Sequence, residues 1–276
     1  MVDYHVHSNH SADCDYAMAE MLEAAVRAGL AEIAFTDHLD IDYPSWEHPF
    51  SVVDEPAYLS DIEAMRRRFP QIRIRTGFEF GDTPASRQKL RDVIARVAPD
   101  FVLLSCHVVD GRDPYVLKEH YFDVRYPTKQ LAYDAYIDAL IATARTWEDV
   151  GYSSFAHIGY VAKAWAVRDK DGQADRRILY EEHPERIDVL LRSIIRADAA
   201  LEVNTSGYRA IGDALPSLSI VRRFAQLGGQ CVTLGSDAHS PFDVARHLNT
   251  GRAMALEAGI RWVATFEGGI RKERPL

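Results

Sequence analysis

The stretch DYHVHSNHSAD, residues 3–13, sets two histidines one residue apart and an aspartate six residues after the second. Alternate side chains of an extended strand point to opposite faces, so His5 and His7 share one face while Tyr4 and Val6 take the other. Two imidazoles at a strand end begin a metal site only if further ligands arrive from distant parts of the chain. How they arrive decides the fold.

β-Prone runs recur at 1–7, 32–36, 72–80, 101–107, 153–157, 200–205, 230–235 and 261–266. Segments of helical spacing separate them. Met18, Met21, Leu22, Ala25 and Val26 form one i, i+3, i+4, i+7 stripe, Ile187, Leu190, Leu191, Ile194 and Ile195 another, and Tyr133, Ile137, Leu140, Ile141 and Ala144 a third. Thr83-Pro84 and Ser240-Pro241 predict helix starts, as N-cap followed by proline at the first helical position. Strands alternating with helices specify an α/β chain with a parallel barrel of βα units. The charged stretch 158–182 reads as a surface excursion, and residues 1–276 as a single domain.

On this frame the ligand-type residues fall at one end of the strands. His5 and His7 end the first, Asp37 and His38 follow the second, Glu79 ends the third, His107 the fourth and His157 the fifth, and Asp237 and His239 follow the seventh. In a parallel barrel those ends share one rim, where barrel enzymes place their chemistry. Taken singly, each has an ordinary reading: TDH and SDAH as turns or caps, Glu79 as half of an ion pair, His107 or His157 as a core histidine. Independent ordinary explanations for all of them at the same strand ends are improbable, and a metal site is expected. His10, His48, His120, His183 and His247 lack partners at ligand spacing; Cys14 is harder to set aside.

Composition narrows the partners. The 276 residues are 47% hydrophobic, enough for a large core, and the formal charge of −9 disfavours nucleic acid or an anionic membrane as main partner. Three scattered cysteines form neither a disulfide framework nor a zinc knuckle. With neither a signal peptide nor an apolar span in view, a cytoplasmic protein is expected.

Taken in order, DYHVHSNHSAD, FTDH, GFEF, SCHVVDG, FAHIGY, LEVNTSGYR and LGSDAHSPFDV resemble the polymerase and histidinol phosphatase (PHP) superfamily, and within it the histidinol-phosphate phosphatase branch. The resemblance runs from residue 3 to about 250, and the ending GGIRKERPL is similar too. It implies a distorted (β/α)7 TIM-like barrel and three divalent ions, of zinc, manganese or iron. Carried over by position, it implies that His5, His7, Glu79 and Asp237 hold one ion, that Glu79 bridges to a second held by His107 and His157, and that Asp13, His38 and His239 hold the third. One departure stands out. The branch tends to follow the fifth-strand histidine with an apolar residue and then an acid, as in His-x-Asp, where this chain reads His157-Ile158-Gly159-Tyr160.

The chemistry suits a phosphate monoester. Its oxygens repel hydroxide, whereas close cations acidify a shared water, neutralise those oxygens and stabilise the departing alkoxide. Nitrogen and oxygen ligation fits Zn²⁺, Mn²⁺ or Fe²⁺ alike. Arg209, after the glycine of NTSGYR, is the candidate phosphate clamp. Asp237 is a candidate for proton transfer, His239 joins it among the catalytic candidates, and Tyr208 and His48, with Trp46, are candidates to contact the organic half of the substrate. The expected activity is L-histidinol-phosphate hydrolysis on a small-molecule substrate. The alternatives are a PHP phosphoesterase of other specificity, acting on nucleotides, cyclic phosphates or general monoesters, and an inactive metal-binding module that supports a complex.

Overall fold

The computed structural model describes residues 1–44, 54–117, 126, 128–164 and 176–276. Its strands are β1 (Val2–Val6), β2 (Glu32–Phe35), β3 (His38–Leu39), β4 (Arg73–Gly81), β5 (Phe101–Ser105), β6 (Ser154–Phe155), β7 (Ala200–Asn204), β8 (Cys231–Gly235), β9 (Trp262–Glu267) and β10 (Ile270–Pro275). They form one sheet in the order β1-β2-β4-β5-β6-β7-β8-β9-β10, with β3 paired to β4, and every pair except β9–β10 is parallel. Strands such as FVLLS and CVTLG are buried at every residue, as parallel strands covered on both faces must be.

Parallel neighbours need crossovers, and helices supply them. The helices Met18–Arg27, Lys129–Thr146 and Pro184–Arg196 bury Met18, Met21, Leu22 and Ala25, then Tyr133, Ile137, Leu140 and Ala144, then Ile187, Leu190, Leu191 and Ile194. These are the apolar stripes read from spacing. The sheet curls until β1 approaches β8, but the ladder does not close. A single parallel bridge, Val6 with Ala238, joins the two ends, supported by His7 N–H donating to Ala238 O at 3.0 Å and Asp237 N–H to His5 O at 2.8 Å. A TIM-like (β/α)7 description, with β1, β2 and β4 to β8 as its parallel strands, is compatible with this open sheet.

The stretch 261–266 becomes β9, which pairs with β8 over Cys231 and Val232 alone and then turns back as β10. Its far end seals the floor. Phe266 N–H donates to the Tyr4 hydroxyl at 2.8 Å, Gly268 N–H to Asp100 Oδ1 at 2.6 Å, and Arg274 to the buried Glu32 at 2.7 Å.

Four local expectations need correction. The register slips between Asp3 and Val6, so strict alternation fails and Tyr4 turns onto the inner face, its hydroxyl 2.6 Å from Glu32 Oε1 and its ring 5.0 Å from that of Phe101. Thr83-Pro84 opens a turn in which Thr83 and Ser86 satisfy each other, and the helix starts only at Arg87. Ser240-Pro241 likewise serves a turn, with Asp243 N–H on Ser240 O at 3.0 Å, and helix begins at Leu248. Nor is 158–182 simply a surface excursion. Gly159 and Tyr160 N–H both donate to the buried Tyr136 hydroxyl at 3.2 Å, starting a helix Tyr160–Ala164, and Ile178 is buried; 165–175 lie outside the described residues. Among the described residues no helix is long and apolar enough to cross a membrane.

Candidate metal centre

Strand register does the first part of the assembly. His38 is paired with Glu79 across β3 and β4, and Glu79 with Leu103 across β4 and β5. The bulge in β1 and its bridge to Ala238 bring His5 and His7 against Asp237. Donors sharing a tetrahedral cation at about 2.0–2.1 Å stand about 3.3 Å from one another. His5 Nε2 lies 3.0 Å from His7 Nε2, 3.1 Å from Glu79 Oε2 and 3.5 Å from Asp237 Oδ1, and His7 Nε2 is 3.5 Å from both carboxylates.

The other oxygen of Glu79 faces a second group. Its Oε1 is 3.0 Å from His107 Nε2 and 2.7 Å from His157 Nε2. A carboxylate whose two oxygens address two sets of imidazoles is built to span two positions. A third group gathers at the rim, with Asp13 Oδ2 3.5 Å from His38 Nε2 and 3.0 Å from His239 Nε2, and with His38 Nδ1 3.3 Å from Glu79 Oε2. The His7 ring stacks between His38 and His239, at 4.4 and 4.0 Å. Side chains from both ends of the sequence thus converge.

Electrostatics shows what the cluster demands. Burial favours neutral carboxyls, yet His5, His38 and His107 hold Glu79 well below the usual carboxylate range. Burial is likewise opposed at Asp237, where Lys163 and His5 lead in holding the carboxyl low. Burial depresses His107 as well, but Asp40 and Glu79 outweigh it and push the imidazole up to about 10. His7 goes the other way, lowered well below its ordinary value by burial and then by His239 and His38. Several imidazoles and carboxylates are therefore frustrated when they have only one another. Among the described residues His239 Nε2 is buried without a hydrogen bond, although Asp13 Oδ2 is only 3.0 Å away. A nitrogen and an oxygen this close with no hydrogen bond between them fit a shared cation, and all these atoms are nitrogen or oxygen, as borderline to hard divalent ions prefer.

A second layer fixes the rings. His5 Nδ1–H meets Glu202 Oε1 at 2.6 Å, His107 Nδ1–H meets Asp40 Oδ1 at 2.8 Å, and His7 Nδ1 lies 3.2 Å from Ser11 Oγ. A carboxylate on Nδ1 leaves Nε2 as the lone-pair donor and makes it more basic. Glu202 Oε2 also accepts His157 N–H at 2.7 Å, so one carboxylate holds parts of both groups. Two glycines make room. A Cβ at Gly81 would lie 1.7 Å from Asp40 Oδ1, and one at Gly235 would lie 2.4 Å from Glu202 Oε1. Asp37 does not join the cluster; it accepts Ser8 N–H at 2.7 Å and Ser11 Oγ–H at 2.7 Å, organising the loop that follows β1.

Glu202, Asp40 and Lys163 went unread in the sequence, though signals existed. Glu202 is the one charged residue in the strand-like run ALEVN, and Asp40 lies two residues beyond His38, at strand spacing. Lys163, on the helix Tyr160–Ala164, hydrogen-bonds through Nζ to Asp237 Oδ2. Arg209 sits beside the same loop, its guanidinium nitrogens 3.4 Å from Ser236 O and Asp237 O and its Nε 3.5 Å from Asp243. Tyr208 is half-buried, its ring 5.5 Å from that of His247. His48, Trp46 and His120 lie outside the described residues. His10 pairs with Asp61 at 2.9 Å and His183 with Asp134 at 2.8 Å, both away from the cluster. Cys14 donates its thiol to His239 O at 3.3 Å, and burial pushes that thiol up to about 11, so it props the loop.

The PHP domain model matches residues 3–206, well over half of the chain. A histidinol-phosphatase of Lactococcus lactis is 28% identical over 268 residues, covering 97% of this chain and 94% of the relative. A Clostridium acetobutylicum protein named "Probable histidinol-phosphatase" is 25% identical over 273 residues, covering 98% of each. A crystal structure of the Lactococcus lactis histidinol phosphate phosphatase, complexed with zinc, L-histidinol and phosphate, superposes with a TM-score of 0.86 over 98% of both chains at 28% identity. The chain belongs to the PHP domain family.

Proposed function

We propose that this chain is a metal-dependent phosphomonoesterase that hydrolyses L-histidinol phosphate to L-histidinol and phosphate. The observation that carries the reading is Glu79, one oxygen directed at His5 and His7 and the other at His107 and His157. The whole-chain similarity to a phosphatase that binds zinc, L-histidinol and phosphate supports the substrate.

His5, His7, Glu79 and Asp237 would hold one divalent ion, Glu79, His107 and His157 a second, and Asp13, His38 and His239 a third, each of zinc, manganese or iron. When bound, these ions supply the positive charge that acidifies a water and neutralises phosphoryl oxygens. The chain's own groups do the rest. Glu202 and Asp40 hold the imidazoles in the ligating tautomer. Asp237, with Oδ1 toward His5, His7 and His239, is the carboxylate placed to accept a proton from the attacking water. Arg209 spends at most three of its five N–H bonds on the loop and offers the rest to phosphate. His239, at the exposed edge, stands where the alcohol leaves, and Tyr208 and His48 are proposed to face the organic half. The three cysteines, all unpaired, suit a reducing cytoplasm.

Histidinol phosphate, AMP, a cyclic nucleotide and a generic aryl phosphate, assayed side by side on metal-loaded protein, test the reading. Preference for histidinol phosphate is expected. Equal turnover on all four would reject the named substrate, and a full metal complement without esterase activity would reject catalysis.

A further inference from the structure

Phosphate carries two negative charges that a cluster rich in carboxylates must accommodate, and among the described residues permanent cations beside the cluster are few. Lys163 is a second such group beside Arg209. It projects from the short helix that follows His157, is largely buried, hydrogen-bonds to Asp237 Oδ2 and lies over the face of Tyr160, 5.9 Å from the ring centre. An ammonium has three N–H donors, and one is spent on Asp237. Among the described residues the other two meet no acceptor.

Asp237 does not depend on that bond. Its Oδ2 is also 3.3 Å from the donor Asn204 Nδ2 and 3.0 Å from Ser206 Oγ, whose one proton is shared with Asn204 Oδ1 at 2.6 Å, while Oδ1 faces His5 and His7. Without the lysine, Asn204 and, through its shared proton, Ser206 still supply this oxygen with donors. The lysine can therefore turn to another anion and leave Asp237 satisfied. Arg209 reaches the same loop through Ser236 O and Asp237 O, so both cations contact Asp237, one at its carboxylate and one at its backbone.

Resting on the phosphatase reading, we propose that Lys163 is a phosphate-binding catalytic residue: its ammonium donates to a phosphoryl oxygen of the substrate next to Asp237. A compact ammonium on a flexible stem follows a phosphoryl group through its change of shape, where a planar guanidinium fixes one pair of oxygens.

The test is Lys163→Met, with Lys163→Gln as a second neutral variant should the first fold poorly. Inorganic phosphate is titrated into metal-loaded protein by calorimetry, with metal content measured on the same samples. Loss of one charge-assisted hydrogen bond is expected to weaken phosphate binding by about 10- to 100-fold. Metal content and the affinity for L-histidinol are expected to hold, and kcat/KM is expected to fall for histidinol phosphate and for an aryl phosphate in the same proportion. Unchanged phosphate affinity would overturn the proposal. So would loss of metal in step with phosphate, because Lys163 would then only hold Asp237. The phosphate titration does not depend on which ester the enzyme prefers, so failure of the named substrate and failure of Lys163 are read separately.

Discussion

Replacing Glu202 with glutamine removes one charge and changes almost no volume, yet it should cripple cation binding. The native carboxylate accepts at both ends, from His5 Nδ1–H at 2.6 Å and from His157 N–H at 2.7 Å, with Asn204 Nδ2 adding a bond at 3.3 Å. An amide has one accepting end. If its oxygen keeps His157 N–H, its NH2 faces His5 Nδ1, which must then accept, and the ring proton moves to Nε2, where the lone pair is needed. If its NH2 turns to His157 instead, two donors collide in a fully buried site. A hydrogen bond to a charged group is worth about 1.5–3 kcal/mol, or roughly 10- to 150-fold, and loss of an outer-shell partner of a metal ligand typically costs about 10- to 100-fold in affinity. Competition with a chromophoric chelator for zinc, run on wild type and Glu202→Gln, reads this directly. A variant of unchanged fold that binds zinc as tightly as wild type would refute the tautomer reasoning.

Two further perturbations probe the supports. Gly81→Ala puts a methyl 1.7 Å from Asp40 Oδ1, so urea denaturation should show a loss of about 1–3 kcal/mol, with metal content falling as Asp40 leaves His107; wild-type stability would contradict it. Glu32 resists burial through Tyr4, Arg75 and Arg73, which lower it from 4.5 to about 2. Because the folded state holds the anion more firmly, that stabilisation is complete above about pH 4.5 and vanishes as pH falls through about 2. The urea-midpoint difference between wild type and Glu32→Gln should shrink over that window, and a constant difference would count against the floor network.

Much of this site is legible because strand period, and the alternation of strand with helix that implies parallel pairing, are both local signals. His5 and His7 announce themselves by spacing, and Glu79, His107 and His157 by closing apolar runs. What escapes is what topology alone decides. Glu202 lies 197 residues from His5, and its hydrogen bond exists only because β7 and β1 curl around the same interior. Lys163 hides because its charged neighbours read as solvated surface, whereas the turn at Gly159, pinned by Tyr136, lifts one turn of helix onto the rim. The two proline signals misplace helix starts because Ser and Thr hydroxyls satisfy turns by the same hydrogen bonds they use as caps. The slip in β1 has no mark in its composition.

Anomalous diffraction at the zinc, iron and manganese edges, from crystals of protein prepared without chelators, tests the shared cation cluster most directly. Peaks are expected about 2.0–2.2 Å from His5, His7, Glu79 and Asp237, and again on the far side of Glu79 between His107 and His157. Crystals that diffract well and hold no transition metal among these side chains would contradict it.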